Sequence, residues 1–307
     1  MSSSDTQTIH SFPPFFQILQ NGVVKRFFDD KLISSTNDTP NSHGVITRDV
    51  VVSSENKVGA RLFLPANSDP TRKLPVLVYV HGGAFSIGSA FSEAYTNYVS
   101  YVVAESDFIA VSVEYRLAPE NLMPACYDDS WEVFKWVASH GSGQGSDPWL
   151  TDRADLTRVF VAGDSAGANI AHDLVIRVGS GQDDVGLKIS GAVMMHPYFG
   201  NDEVTPMMKV IFPGITGYDD PRYNPAANPG LMGGIQCGKV LVCVAEKDGI
   251  KDRGVKYYEV LKKSVFQGEV EFVETKGENH VFHLFNSGCE NAGELMKSVV
   301  SFLKNEK

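Results

Sequence analysis

The stretch RVFVAGDSAGANIAHDLVIRV, Arg158 to Val178, sets a serine between two glycines where an apolar run stops and a helical pattern begins. Val159, Phe160 and Val161 predict a short buried strand, and Ile170, Leu174 and Val175 recur at helical spacing after Ala166. The stretch therefore reads as strand, turn and helix. Gly163 and Gly167 each stand two positions from Ser165. A turn that sharp presses its backbone against the strand before it and the helix after it, and glycine relieves the crowding. The Ser165 hydroxyl is then expected above the C-terminal end of the strand, beside the positive end of the helix. In a chain rich in glycine and serine the pentapeptide G-x-S-x-G also arises by accident, so its weight comes from the strand-then-helix context.

Working outward, the same alternation recurs. Apolar runs stand at LPVLVYV (74–80), FIAVSVEY (108–115), ISGAVMM (189–195), KVLVCVA (239–245) and EVEFVE (269–274). Amphipathic stretches such as DDSWEVFKWVASH and RGVKYYEVLKKSV lie between most of them. Strands without polar alternation, separated by helices, predict a mostly parallel central sheet with helices on both faces. Upstream, VITRDVVVSS and VGARLFLP predict two antiparallel strands, and residues 1 to about 45 read as a covering segment, partly helical around Phe15 to Leu19. The stretch from Asn201 to Pro229, rich in Pro, Gly, Asp and Asn, breaks the pattern. It is expected as a lid over the C-terminal edge of the sheet, so that a single domain, 1–307, carries a small cap built from about 1–45 and 200–229.

Composition bounds the function. A chain of 307 residues that is 43% hydrophobic can bury a large core. Its net charge of −10 is spread out with no Lys/Arg run, which argues against nucleic acid or an anionic membrane as partner. MSSSDTQTIHSFPPFF lacks the basic start and apolar stretch of a signal peptide, and no run reaches the length of a membrane span. Cys126, Cys237, Cys243 and Cys289 have no metal-type spacing, and Cys243 falls inside an apolar strand as a buried thiol would. A cytoplasmic protein is expected, with no metal and no organic cofactor, since neither a ligand cluster nor a dinucleotide fingerprint is present.

Acyl transfer builds negative charge on a carbonyl oxygen, and preorganised N–H donors must meet it. His81-Gly82-Gly83 follows the strand ending at Val80, about eighty residues before Ser165. The N–H groups of Gly82, Gly83 and Ala166 are the candidate oxyanion hole; alternatively the glycine pair is only a tight turn. Ser165 also needs a base, and the base a carboxylate, in the chain order Ser, Asp or Glu, His. KVLVCVA runs into Glu246, Lys247, Asp248 and, further on, Asp252. Asp248 lies nearest the strand end, in a turn with Gly249, while Asp252 enters a helix, where capping is its better reading. Of eight histidines only His280 and His283 follow the last strand. His10 and His43 fall in the covering segment, His140 ends a helix, and His172 and His196 read as hydrogen-bonded structural residues near the sheet.

HGGAF, VEYRLAPENLMPACYDD, GDSAGANIAH and ENHVFHLF together resemble the plant carboxylesterase family, the hormone-sensitive-lipase-like branch of the α/β hydrolases. The resemblance covers nearly the whole chain, from FPPFFQILQNGVVKR to the last helix. It implies an α/β-hydrolase fold with Ser165 as nucleophile, Asp248 as orienting acid, His280 as base, and Gly82, Gly83 and Ala166 as oxyanion hole. The family's usual third glycine is here Ala84, a variant similar to the 2-hydroxyisoflavanone dehydratase and alkaloid-forming branches, although legume dehydratases often carry threonine where this chain keeps Ser165. The insertion after Tyr198 is shorter than the family's usual one. The expected activity is a carboxylesterase acting on a small or medium ester of a plant secondary metabolite, alkaloid- or flavonoid-like. A lyase, dehydratase or cyclase on the same scaffold is the alternative. A gibberellin-receptor-like binding role is disfavoured because those receptors lack the histidine that stands here as His280.

Overall fold

The computed structural model describes residues 7–181 and 185–305. It opens with three short antiparallel strands, β1 (Thr8–Phe12), β2 (Phe16–Leu19) and β3 (Val24–Arg26). The helix expected around Phe15 to Leu19 is therefore a strand. Phe16 and Leu19 are both buried, a three-residue spacing that imitates a helix. The turn that follows decides otherwise: Gly22 takes φ +82°, Asn21 Oδ1 accepts the Val23 N–H, and Leu19 pairs back to Val23. Asn-Gly favours a hairpin over a helix.

The central sheet comprises β4 (Val45–Ser53), β5 (Val58–Pro65), β6 (Leu74–Val80), β7 (Ile109–Glu114), β8 (Ala154–Asp164), β9 (Ile189–Met195), β10 (Cys237–Ala245) and β11 (Glu269–Thr275). Their spatial order is β11-β10-β9-β8-β6-β7-β5-β4. β4 and β5 are antiparallel, β5 runs antiparallel to β7, and the six strands from β7 to β11 are mutually parallel. The helices are α1 (Glu93–Ser106), α2 (Ala125–Ser139), α3 (Pro148–Arg153), α4 (Ala166–Ser180), α5 (Pro206–Ile211), α6 (Lys251–Lys263), α7 (Phe282–Phe285) and α8 (Glu290–Lys304). Among the described residues no helix is long and apolar enough to cross a membrane.

Each central strand is apolar throughout because both of its faces are buried. On β8, Val159 and Val161 pack with Phe134 of α2 and Ile170 and Leu174 of α4, while Phe160 and Ala162 belong to the opposite core with Val99 of α1 and Val299 of α8. The parallel order brings the C-terminal ends of β6, β8, β9, β10 and β11 to one edge, where loops can converge on a ligand.

The 201–229 stretch takes a different place from the one its composition suggests. Met207, Met208, Ile211 and Phe212 are buried in the same core as α2 and α4. Asn169 of α4 binds it through the carbonyl of Arg222, and Met123 pairs with Ile211. Those anchors hold it beside α4, and none of its described residues lines the cavity above Ser165. The roof there comes instead from Pro14, Phe15, Phe28 and Asp30.

One contact locks α4 onto the sheet. A Cβ on Gly167 would overlap the carbonyl oxygens of Val80 and His81, and one on Gly163 would overlap Gly167 itself. Gly167→Ala is expected to cost about 2 kcal/mol through overpacking against backbone that cannot yield, lowering Tm by about 5 °C. Gly293→Ala, a helical site on α8 with open space around it, should leave Tm unchanged or raise it. Differential scanning fluorimetry on the two variants checks the pair.

Candidate active site

Ser165 follows the last residue of β8 with φ +52° and ψ −119°, a strained conformation for a residue with a side chain. Its neighbours hold it there: the Ser165 N–H donates to Met195 O (2.8 Å) and its carbonyl accepts from Tyr198 N (2.9 Å). Asp248 stands in the turn after β10 and His280 in the loop after β11. Ser165 Oγ lies 2.9 Å from His280 Nε2, and His280 Nδ1 lies 2.7 Å from Asp248 Oδ2. An ionised carboxylate can only accept, so Nδ1 carries the imidazole proton and Nε2 is left to accept from the serine hydroxyl. Asp248 Oδ1 accepts the Ile250 N–H at 2.9 Å. Burial works against its charge, yet the hydrogen bond and charge of His280 outweigh burial and hold the carboxyl below its ordinary range.

The residues weighed against these lie elsewhere. Asp252 falls in the first turn of α6, whose N-cap is Ile250, and no side-chain bond caps that helix; the capping expected of Asp252 is not seen. Its charge complements the helix N-terminus instead. His283 is buried against Tyr98 (ring centroids 4.8 Å) with neither nitrogen hydrogen-bonded, and burial pushes it down to about 3.

The expected oxyanion donors divide. The Gly82 N–H is already engaged, donating to Tyr95 Oη (2.9 Å) and Asp164 Oδ1 (3.2 Å), and Gly82 is not on the cavity wall. Gly82 therefore cannot serve as expected. Gly83 and Ala84 do line the cavity, and no hydrogen-bond acceptor is found for their N–H groups or for that of Ala166 among the described residues. The N–H groups left unengaged here are those of Gly83 and Ala84 on the cavity wall and of Ala166, next to Ser165 and off the wall. Ala84 holds φ +52°, which explains why glycine is the easier residue at this position.

Sequence reasoning missed one support, Asp164, and read the other, His196, as a hydrogen-bonded structural residue without its link to the site. Asp164 ends β8 as a fully buried carboxylate accepting from Tyr79 Oη (2.7 Å), Tyr95 Oη (3.0 Å) and the Gly82 N–H. Burial raises its carboxyl to about 6, against the pull of those donors. A charge closing an apolar strand was the available signal. The second is His196, just past β9. Its N–H donates to Cys243 O (2.8 Å), and its Nδ1 accepts the N–H of Val281 (2.7 Å), the residue after His280. Since Met195 and Tyr198 grip Ser165 from the same short segment, that segment ties the serine turn to the histidine loop. Burial first, then His283 and His280, push the His196 imidazole well below its ordinary range, so it stays neutral.

The cavity over Ser165 measures about 570 Å³ and is lined mainly by apolar and aromatic side chains. His196, Asp248 and His280 offer metal-ligand atoms all within 4.8 Å of one another, but Asp248 and His280 already bind each other. As it stands the site can activate a hydroxyl and receive a developing oxyanion.

Comparison with known proteins places this geometry. Residues 77–284 match the family model described as alpha/beta hydrolase fold. The chain is 37% identical over 327 residues to a 2-hydroxyisoflavanone dehydratase of Glycyrrhiza echinata, covering 98% of this chain and 99% of that protein. It is 38% identical over 332 residues to a probable carboxylesterase 13 of Arabidopsis thaliana, covering 99% and 100%. Among solved structures, a hyperthermophilic esterase from the archaeon Pyrobaculum calidifontis aligns with TM-score 0.66 and 25% identity over 84% of this chain and 85% of that one.

His196→Phe keeps a ring beside Phe282 but removes the acceptor for Val281. A misplacement of about 1 Å at the base costs on the order of a hundredfold in turnover. Turnover per site titrated by an organophosphate should fall by about that factor, with KM little changed. His196→Asn, which restores an acceptor near Nδ1, should recover much of it. Wild-type turnover per titrated site in His196→Phe would reduce His196 to a packing role.

Proposed function

The chain belongs to the alpha/beta hydrolase family, among the plant carboxylesterases and their dehydratase relatives, and on that premise we propose that it is a serine carboxylesterase acting on a small or medium ester. The hydrogen-bonded chain Ser165–His280–Asp248 beneath unengaged N–H groups carries the reading. His280 Nε2 takes the hydroxyl proton as Ser165 Oγ adds to the ester carbonyl. The new oxyanion is met by the N–H groups of Gly83, Ala84 and Ala166. His280 returns the proton to the leaving alcohol, whose C–O bond breaks to give an acyl-Ser165. A water, deprotonated by His280, then adds to the acyl carbon and releases the acid and the free serine. Asp248 keeps the imidazole in the required tautomer and stabilises its cation.

In this reading the whole chain is one hydrolase domain, capped over the site by the N-terminal segment, with 200–229 as a lateral buttress. The substrate is an ester of a plant secondary metabolite. A cytoplasmic setting accords with four unpaired thiols, Cys126, Cys237, Cys243 and Cys289. No metal or organic cofactor enters the steps. The likeness to a dehydratase supports one second reading, elimination or cyclisation, in which His280 moves a proton and the N–H groups hold a substrate oxygen without acyl transfer.

Ser165→Ala should lose on the order of a million-fold in turnover of a p-nitrophenyl ester, and Asp248→Asn about ten-thousand-fold, while Asp252→Asn stays within a few-fold. Mass spectrometry after brief exposure to an activated ester should find an acyl adduct on the peptide holding Ser165. Turnover of a natural metabolite with no adduct, and no oxygen taken up from labelled water, would give the site to elimination.

A further inference from the structure

The catalytic cavity is mostly apolar, yet its wall carries three carboxylates and neither a lysine nor an arginine. Two of the three have evident tasks: Asp248 holds His280, and Asp164 fixes Tyr79, Tyr95 and Gly82. The third, Asp30, sits in the roof on the loop after β3. Ser92, the N-cap residue of α1, donates its hydroxyl to Asp30 Oδ2. Among the described residues no donor meets Oδ1. The cations nearest in sequence are turned elsewhere, Lys31 to Glu93 and Arg26 to Glu120.

A half-buried carboxylate without a cation is costly unless something supplies the opposite charge. Burial pushes the Asp30 carboxyl up despite the Ser92 bond, and Asp29 adds to the rise. Burial raises the Glu114 carboxyl to about 7, with the Asp30 charge adding to the rise, and the cations Arg26, Lys57 and Arg116 line a neighbouring cleft that Asp30 also borders; none of those three is on the catalytic cavity wall. The helix end at Ser92 accounts for one oxygen of the carboxylate and leaves the other without a protein donor, on a residue that lines the catalytic cavity.

The rings on the same cavity wall suit a cation. Phe15, Phe28 and Phe285 line this cavity, and Phe28 meets Phe285 edge to face at 6.4 Å while remaining 40% exposed. An aromatic face attracts a cation, most strongly where water is excluded. The wall offers a substrate carboxylate no lysine or arginine, and Asp30 is the carboxylate on it with Ser92 as its one donor among the described residues.

We propose that Asp30, with the aromatic rings on the same wall, is a cation subsite of the catalytic cavity, and that the ester this protein takes carries a protonated or quaternary amine away from its scissile carbonyl. The proposal rests on the ester-hydrolase reading above and adds the substrate's charge to it. Asp30 takes no part in proton transfer; it binds and orients.

The test compares choline acetate with 3,3-dimethylbutyl acetate, in which carbon replaces the charged nitrogen. In the wild type the choline ester should have at least a tenfold higher kcat/KM, after correction for alkaline reactivity. In Asp30→Asn that ratio should fall at least tenfold, and Asp30→Glu should restore most of it. An unchanged ratio in Asp30→Asn overturns the proposal while leaving ester hydrolysis standing. Calorimetry on the wild type alone adds a measurement that needs neither variant nor turnover: phenyltrimethylammonium should bind at least tenfold more tightly than tert-butylbenzene, and more weakly as salt screens the charge. Equal binding overturns the subsite. Tight, Asp30-dependent binding of the cation without hydrolysis of any ester would keep the subsite and sink the esterase reading.

Discussion

Helix α4 approaches strand β6 so closely that no side-chain carbon fits at Gly167, and the rest of the site depends on that approach. The carbonyls it touches belong to Val80 and His81, the end of one strand and the start of the oxyanion loop. The same contact therefore sets the height of Ser165 above β8 and the distance between its helix and the loop that faces it. Asp164 completes the lock from below, joining β8 to Tyr79 and Tyr95 and drawing the Gly82 N–H inward. With Gly82 facing inward, the next two N–H groups are left for the cavity. Catalytic geometry here is a by-product of packing between a strand end, a helix start and a glycine-rich turn.

Charge is distributed around the site with the same economy. Burial pushes His81 down to about 4 and His283 to about 3 and holds His196 neutral, so none of these imidazoles becomes a competing cation near neutral pH. Asp248 keeps its charge because His280 and the Ile250 N–H meet both oxygens. Three neutral histidines and one charged aspartate thus surround His280.

Much of this was legible in the sequence, because both-sided burial writes itself as uninterrupted apolar runs and the elbow as two glycines at fixed spacing. The parallel sheet, the serine turn and the chain order of Asp248 and His280 follow from those local signals. The N-terminal strands did not, since Phe16 and Leu19 are spaced like a helix face and only Asn21-Gly22 reveals the hairpin. Gly82 was misjudged because an N–H donor's availability depends on Tyr95, thirteen residues away, and on Asp164, eighty-two away. The 201–229 stretch was misplaced for a similar reason: its few apolar residues name a core without saying which one. His196 was read as structural, and its bond to Val281 spans eighty-five residues that no local pattern can connect.

The chain assigns the floor and the roof of the cavity to different stretches. Ser165, Asp248 and His280 stand on strand ends deep in the sheet, whereas Pro14, Phe15, Phe28 and Asp30 come from the first thirty residues. Those residues belong to a small separate sheet and a loop, outside the hydrogen-bonded ladder of the eight central strands. Variation in a short leading segment can then reshape what is admitted while the reacting atoms stay in place. A chain of this kind can give rise to many selectivities from one unaltered catalytic floor, with the roof segment as the ground on which they diverge.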